Sequence, residues 1–284
     1  IFKKATRNIM RTLFVSDLDG TLLHSDKTIS MYTCDVINKL AEKGIMFSYA
    51  TARSFITARK VTDGLNAGIP LIIYNGAFIV DNATGSIMFS NYFTEKVYSL
   101  LDDLIGNNII PIVYAYIDGI EKFSFVENKC SRSMKDFLST RENDVRANPL
   151  TDIKQLYNGN IFYITCIDDE EKLKPFYYKY KSDFHCIFQR DIYSNEQWLE
   201  IMPQSSSKSN AVLRLKKYLN AEKVVVFGDG KNDVDMFNIA DESYAVENAV
   251  EDLKKIATGI IGNNNDDSVA KWLELNILEN GCIK

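Results

Sequence analysis

The chain has 284 residues, with 33 Lys and Arg against 38 Asp and Glu and a formal net charge of -5. Its composition, 46% hydrophobic and 25% charged, is that of an ordinary globular protein and excludes wholesale disorder. The mild acidity gives no basic footprint for nucleic acid or for an anionic membrane.

No apolar run approaches the ~20 residues of a membrane-spanning helix. The basic start through Arg11 is followed only by a short apolar run from Leu13, too brief for a signal sequence. Cys34, Cys130, Cys166, Cys186 and Cys282 are scattered without a paired spacing, which predicts neither a disulfide framework nor a zinc site. A cytoplasmic protein with reduced thiols, and with neither nucleic acid nor membrane as partner, is expected. The residues before Arg11 carry no legible function.

Leu13-Phe14-Val15 reads as a buried strand. A helix is predicted from Met31 to Lys43, with Val36, Ile37, Leu40 and Ala41 on one face, Ser30 as its cap and Gly44 at its end. A strand over Ile45 to Ala50, a helix over Ser54 to Asp63 and a third strand over Leu71 to Tyr74 follow. Uninterrupted apolar strands alternating with helices predict a parallel sheet covered on both faces.

From about Phe78 to Met202 the pattern changes to longer strands rich in Tyr and Phe: Ile109–Ile117, Lys122–Val126, Ile161–Ile167, Phe184–Gln189 and Gln197–Ile201. Helices are predicted between them at Thr94–Ile105, Ser131–Ser139 and Asp169–Lys181, and Asn82 to Gly85 reads as a hairpin turn. This region is predicted to be an inserted α+β domain, over 80–203, within an α/β core formed by 1–79 and 204–284. Most of its aromatic residues are expected to pack its own sheet.

The alternation then returns. A helix is expected over Lys208–Leu219, a strand over Val224–Phe227, a helix over Asp233–Ala240 and a short strand over Tyr244–Val246. Helices near Val250–Ala257 and Asp267–Leu278 end the series, and Asn263-Asn264-Asn265 reads as a loop.

Chemistry concentrates where strands end. In Asp17-Leu18-Asp19-Gly20-Thr21, carboxylates two residues apart follow a buried strand, at the sheet edge where ligands of open α/β sheets bind. Such a pair offers a nucleophile, a proton carrier and oxygen ligands for a hard cation, and Thr21 a donor to an anion; the plainer reading is a polar turn. Gly228-Asp229-Gly230-Lys231-Asn232-Asp233 repeats the design, with Asp229 and Asp233 as candidate Mg2+ ligands and Asn232 as a ligand or orienting group. As a plain structural feature it is a helix start with acids near the positive dipole end. Thr51, after the second strand, offers a hydroxyl and amides suited to a phosphate oxygen, while Lys208 and Asn75-Gly76 taken singly are a solvated side chain and a turn.

The order of these groups carries more than any one of them. Asp17-Leu18-Asp19-Gly20-Thr21-Leu22-Leu23, Thr51, Lys208 and Gly228-Asp229-Gly230-Lys231-Asn232-Asp233, in sequence, resemble the four motifs of the haloacid dehalogenase (HAD) superfamily, and more closely its Cof-type sugar-phosphatase branch. In that branch a type IIB cap is inserted between the second and third motifs, and the 80–203 insertion and Asn75-Gly76-Ala77 fall at matching places. The branch usually carries Thr-Gly-Arg and Ser-Lys-Gly where this chain has Thr51-Ala52-Arg53 and Ser207-Lys208-Ser209, so each Gly is replaced while the chemical group stays.

The resemblance implies a parallel-sheet, Rossmann-like HAD core and a Mg2+-dependent phosphatase of small phosphorylated metabolites. By that resemblance Asp17 is the nucleophile that becomes an aspartyl phosphate, Asp19 the general acid and base, and Thr51 and Lys208 the ligands of the phosphoryl oxygens. It assigns Mg2+ to Asp17, the Asp19 main-chain carbonyl and Asp229, with Asp233 completing the set. Arg53, Asn75, Gly76 and Asn232 join Thr51 and Lys208 as substrate-side residues. A phosphomutase of the phosphomannomutase type, a non-catalytic phosphometabolite-binding relative and a receiver-type signalling domain are the alternatives. The paired Asp17 and Asp19 argue against a pure binder, and the chain length against a receiver. The particular phosphoester and the oligomeric state are not encoded in any motif.

Overall fold

The computed structural model describes residues 11–66, 68–190 and 196–279. The ten N-terminal residues and Cys282 lie outside them. Two compact units are present: Ile1–Ser90 with Ser207–Lys284, and Asn91–Ser206.

The first unit begins with β1 (Thr12–Ser16), fully buried, then α1 (Met31–Glu42), β2 (Met46–Tyr49) and α2 (Phe55–Val61). Ser30 caps α1 by accepting the Thr33 N–H, and Ser54 caps α2 from Thr57. Next come β3 (Leu71–Ile73), β4 (Phe78–Val80) and β5 (Ile87–Ser90), an antiparallel trio. Here the structure corrects the expectation for the third strand. Among the described residues a single parallel bridge, Ala50 to Ile72, ties it to the main sheet. It stops at Ile73 because Tyr74 (φ 51), Asn75 (φ 50) and Gly76 (φ 93) turn left-handed in succession. Residues 80–90 accordingly group with this unit through the β4–β5 hairpin rather than with the insertion.

The second unit contains α3 (Lys96–Gly106), β6 (Ile112–Ile117), β7 (Ile120–Val126), α4 (Arg132–Ser139), β8 (Ala147–Leu150), β9 (Asn160–Ile167), α5 (Glu170–Tyr180), β10 (His185–Arg190) and β11 (Gln197–Met202). Its six strands run in the order β10-β11-β9-β6-β7-β8, antiparallel except for β7 with β8. Leu100 and Leu104 of α3 and Leu173 of α5 pack with Val113, Ile164 and Leu199 on one face. Met134 of α4 packs with Ile112, Phe123 and Ile167 on the other. The aromatics largely pack one another: Tyr114 meets Phe123, Phe162 and Tyr163, and Trp198 meets Phe137.

The chain then returns to the first unit with α6 (Lys208–Tyr218), β12 (Lys223–Gly228), α7 (Val234–Ile239), β13 (Glu242–Ala245), α8 (Glu251–Ile256), β14 (Gly259–Ile260) and α9 (Ser268–Leu273). The parallel sheet has the order β14-β13-β12-β1-β2. Strand β1, second from the β2 edge, is followed in sequence by its neighbour on one side, β2, and much later by the one on the other, β12. Chain direction thus diverges at the carboxyl end of β1, which is where α/β sheets form a ligand crevice. Among the described residues, no helix is long and apolar enough to cross a membrane.

Candidate active site

Asp17 follows β1 directly, its N–H bonded to the Phe227 carbonyl on β12 at 2.9 Å. Beyond it the chain makes one tight turn, Leu18–Leu22, broken by non-helical angles at Asp19 and Gly20. Gly20 sits at φ 78, and a Cβ there would lie 2.5 Å from a carboxylate oxygen of Asp229. The glycine therefore lets the first acidic turn close on the second.

Lys208 is the first residue of α6, capped by the Ser207 hydroxyl, which accepts from the Asn210 N–H. Although a lysine, it is 2% exposed. A buried ammonium requires partners, and Nζ has two: Asp17 Oδ1 at 2.6 Å and Asp233 Oδ1 at 2.7 Å. The other Asp233 oxygen accepts the N–H groups of Asp229 and Gly230 at 3.0 and 2.9 Å. Thr21, read from the sequence as a donor to an anion, gives its hydroxyl hydrogen to the Asp229 carboxylate, Oδ1 at 2.9 Å.

Oxygens of Asp17, Asp229 and Asp233 lie within 4.8 Å of one another. Three carboxylates share one ammonium, which leaves a surplus of negative charge in a poorly solvated place. Burial pushes the Asp17 carboxyl well above the usual carboxylate range, against the pull of Lys208. Asp229 is pushed up to about 7, by burial first and then by the Asp233 charge. Burial works to lower the Lys208 ammonium, but Asp17 and Asp233 outweigh it and hold the group above its ordinary value. Clustered hard oxygen donors with excess negative charge suit a hard divalent cation, so the residues present fit Mg2+. Asp17 and Asp229 are the better placed donors, since both Asp233 oxygens already accept protein hydrogen bonds.

Thr51 follows β2, buried, with its Oγ1 accepting the Arg53 N–H at 3.1 Å. The left-handed loop braces it: the Asn75 N–H donates to the Thr51 carbonyl at 2.9 Å and the Tyr74 N–H to the Arg53 carbonyl at 3.0 Å. Asn232 Nδ2 reaches Asn75 Oδ1 at 3.4 Å. A Cβ on Gly76 would lie 2.2 Å from the Ser207 carbonyl oxygen, so this glycine permits the loop to abut the start of α6. Asn75-Gly76 is therefore more than a turn: it locks Thr51 and the Lys208 helix in place.

Asp19 is not in the acid cluster. Its carboxylate is held by Arg53, Nε to Oδ2 at 2.7 Å and Nη2 to Oδ1 at 2.5 Å. Two supports carry no sequence signal beyond an Asn-rich loop. Asn248 Nδ2 donates to the Gly20 carbonyl at 2.8 Å, and Asn264, buried, donates to the Leu23 carbonyl at 2.9 Å. Cys34, Cys130, Cys166 and Cys186 are free thiols away from this chemistry.

A family model described as haloacid dehalogenase-like hydrolase matches residues 14–273. The 5-amino-6-(5-phospho-D-ribitylamino)uracil phosphatase YwtE of Bacillus subtilis is 27% identical over 277 residues, spanning 91% of this chain and 95% of its own. The crystal structure of TM0651 from Thermotoga maritima superimposes with a TM-score of 0.74 at 26% identity, covering 93% of this chain and 97% of that one. The HAD subclass IIB sugar phosphatase BT4131 shares the fold, with a TM-score of 0.72 at 18% identity over 93% of this chain and 98% of its own. With the paired acids just after β1, the buried Lys208 and the Asp229–Asp233 turn in their expected order, these matches show that the chain belongs to the haloacid dehalogenase-like hydrolase family and is a phosphatase.

Proposed function

We propose that the enzyme hydrolyses phosphate monoesters of sugars or similar small polyols, with Mg2+, through an aspartyl phosphate on Asp17. The observation that carries this reading is the buried Asp17 carboxylate, held at 2.6 Å by an ammonium that Asp233 fixes from the other side. A purely structural carboxylate gains nothing from being left at the end of a strand with its charge only partly compensated.

In this reading an Asp17 oxygen attacks phosphorus as the bond to the leaving alcohol breaks, and Asp19 delivers the proton that alcohol needs. Water then attacks the aspartyl phosphate, Asp19 takes up its proton, and phosphate leaves with Asp17 restored. Lys208 and the Thr51 hydroxyl bind the phosphoryl oxygens and stabilise the charge spread over them. Asp17, the main-chain carbonyl of Asp19 and Asp229 would hold Mg2+, with Asp233 fixing Lys208. Bound Mg2+ supplies the positive charge that keeps Asp17 ionised and lets it approach an anionic ester. Asn75, Gly76 and Asn232 shape the substrate side.

The inserted unit is proposed as the cap of the Cof-type branch, to which the choice of ester falls. The ribityl phosphate in the name of the Bacillus subtilis relative makes phosphorylated sugar alcohols the first esters to try. Free thiols and the lack of a membrane-spanning helix among the described residues support a cytoplasmic enzyme.

The test is phosphate release from a panel of phosphorylated metabolites, with Mg2+ and with EDTA, beside Asp17→Asn. Metal-dependent release from a subset is expected, and the variant should keep under about a thousandth of it, as for loss of a nucleophile. Substantial hydrolysis by Asp17→Asn would sink the assignment.

A further inference from the structure

We propose that Arg53 is the positioning residue of the proton-transfer carboxylate: its guanidinium forks onto both oxygens of Asp19 and sets the direction in which that carboxyl meets the leaving group. The inference rests on the phosphatase reading above.

The geometry is specific. Nε and Nη2 each bond a different Asp19 oxygen, at 2.7 and 2.5 Å, the side-on bidentate arrangement that fixes a carboxylate plane and that a lysine cannot reproduce. The Arg53 main chain is anchored at both ends. The Arg53 N–H is bonded to the Thr51 hydroxyl oxygen, and its carbonyl accepts from Tyr74, which takes a left-handed φ of 51 to do so. Left-handed backbone is uncommon for a bulky residue, so the loop accepts strain to hold this segment. Asp19 sits at the non-helical break of the first turn, beside Gly20.

Stability does not account for the pair. The side chains are 19% and 32% exposed, and ion pairs open to solvent contribute little. What a fork supplies at such a site is orientation. A general acid must come within about 3 Å of the oxygen it protonates, and a displacement of ~1 Å in a reacting group costs on the order of a hundredfold in rate. The fork uses one lone pair on each Asp19 oxygen and leaves another for the proton in transit. Arg53 thus joins the second motif to the first: Thr51 serves the phosphoryl oxygens, and two residues later Arg53 aims the acid.

Leaving-group dependence separates aim from substrate binding. An alkyl phosphate needs its alkoxide protonated, whereas p-nitrophenyl phosphate releases a stable phenolate that needs little help. For Arg53→Gln, kcat on the best alkyl phosphate of the panel should fall about 30-fold to 100-fold while kcat on p-nitrophenyl phosphate falls under about 5-fold, within what a positioned acid contributes. Arg53→Lys should recover little. The double variant Asp19→Ala with Arg53→Gln should be no slower on the alkyl ester than Asp19→Ala alone, within about 3-fold, since both act through one carboxyl. Equal losses on the two esters carried in KM, or losses that multiply in the double variant, would overturn the inference and make Arg53 a substrate ligand. Failure of the wild type to hydrolyse either ester would count against the phosphatase reading instead. The pairing would then be decided by crystal structures of the wild type and Arg53→Gln: a displaced Asp19 side chain in the variant supports it, and an unchanged one overturns it.

Discussion

The two units each bury a cation between two carboxylates, and the two clusters behave in opposite ways. In the first unit Lys208 sits between Asp17 and Asp233, at 2.6 and 2.7 Å. In the second, Arg146 sits between Glu121 and Asp144, at 2.7 and 2.6 Å, with its guanidinium over the Phe123 ring. Side-chain exposure is 1% for Lys208 and 7% for Arg146. Around Arg146 the match is close: the fork takes both Asp144 oxygens, a third donor takes Glu121, and the Asp144 carboxyl is held below its ordinary range chiefly by those bonds. Around Lys208 a further acid, Asp229, joins the cluster, and burial drives Asp17 and Asp229 upward. Two cations with similar burial and partner distances thus differ in whether charge is balanced. An ion pair that completes its hydrogen bonds is a fixture; one that leaves surplus charge is prepared for something else to bind.

The largest effect should come from removing each cation. Without metal, Lys208→Met leaves two buried carboxylates facing each other and should cost about 3–5 kcal/mol of stability, the usual penalty for breaking a buried pair. Phosphatase turnover should fall by about two to three orders of magnitude, as when a donor to transition-state charge is lost. Arg146→Met should cost about 3 kcal/mol for the same reason. The two part company when Mg2+ is added. In urea denaturation the ion should restore part of the Lys208→Met loss, because it replaces positive charge at that cluster, and none of the Arg146→Met loss beyond its effect on wild type. Equal rescue of both would abolish the distinction.

Acidity gives the next effect, with opposite signs in the two clusters. Asp229 is raised from 3.8 to about 7, so between those values the folded protein holds a proton that the unfolded chain has released. Stability from this group is therefore full below the unfolded value and is lost as pH rises through the window up to about 7. Asp144 is lowered, so its contribution is present above the ordinary aspartate value and fades only on acidification below it. In EDTA, denaturation should show wild type losing on the order of 2 kcal/mol between pH 5.5 and 7.5, after allowance for the solvent that Asp229 still meets. Asp229→Asn should flatten that slope, and Mg2+ should stabilise more at the upper pH, where it has no proton to displace. A slope unchanged in Asp229→Asn would place the surplus charge elsewhere.

How much of this was open to reading from residues alone follows the range of the interactions. The apolar runs of β1 and β12, the cap Ser30, and the hairpin turn at 82–85 are local features that occur where the sequence predicts them. β8 was missed because Ala147-Asn148-Pro149-Leu150 has no apolar alternation and carries a proline, tolerable there because the strand forms a sheet edge. β14, two residues long, offers no periodicity. Within the site, the motif residues that meet around Lys208 each announce themselves as acids, glycines or a capped lysine at a strand–helix junction. The Asp19–Arg53 fork spans 34 positions and the Asn248–Gly20 bond 228, and no spacing rule reaches so far. The third strand occurs where its apolar run predicts it and differs only in its sheet, for a similar reason. Its apolar run suits either sheet, and what ends it is the left-handed course of Tyr74 to Gly76, fixed by hydrogen bonds to a distant loop.

The smallest effects should come from that long-range scaffolding, and they test whether it serves only the fold. Asn264 is buried and donates to the Leu23 carbonyl, while its own N–H donates to the Asn248 side-chain oxygen, and Asn248 in turn donates to the Gly20 carbonyl. One of these carbonyls lies within, and the other just after, the turn that carries Asp19 away from the Lys208 cluster. Asn264→Ala leaves a buried carbonyl without its donor and should cost about 1–3 kcal/mol. Asn248→Ala, at an exposed position, should cost about 1 kcal/mol or less. If the chain of bonds holds the acidic turn in register, Asn264→Ala should also lower turnover by about 3-fold to 10-fold at temperatures where the variant is fully folded, because the groups it displaces slightly are those proposed above to react. Full activity in a folded Asn264→Ala enzyme would reduce the Asn-rich loop to a structural peg. A drop in kcat with KM unchanged would make it part of what separates the strained acidic corner of the first unit from the quiet one in the second.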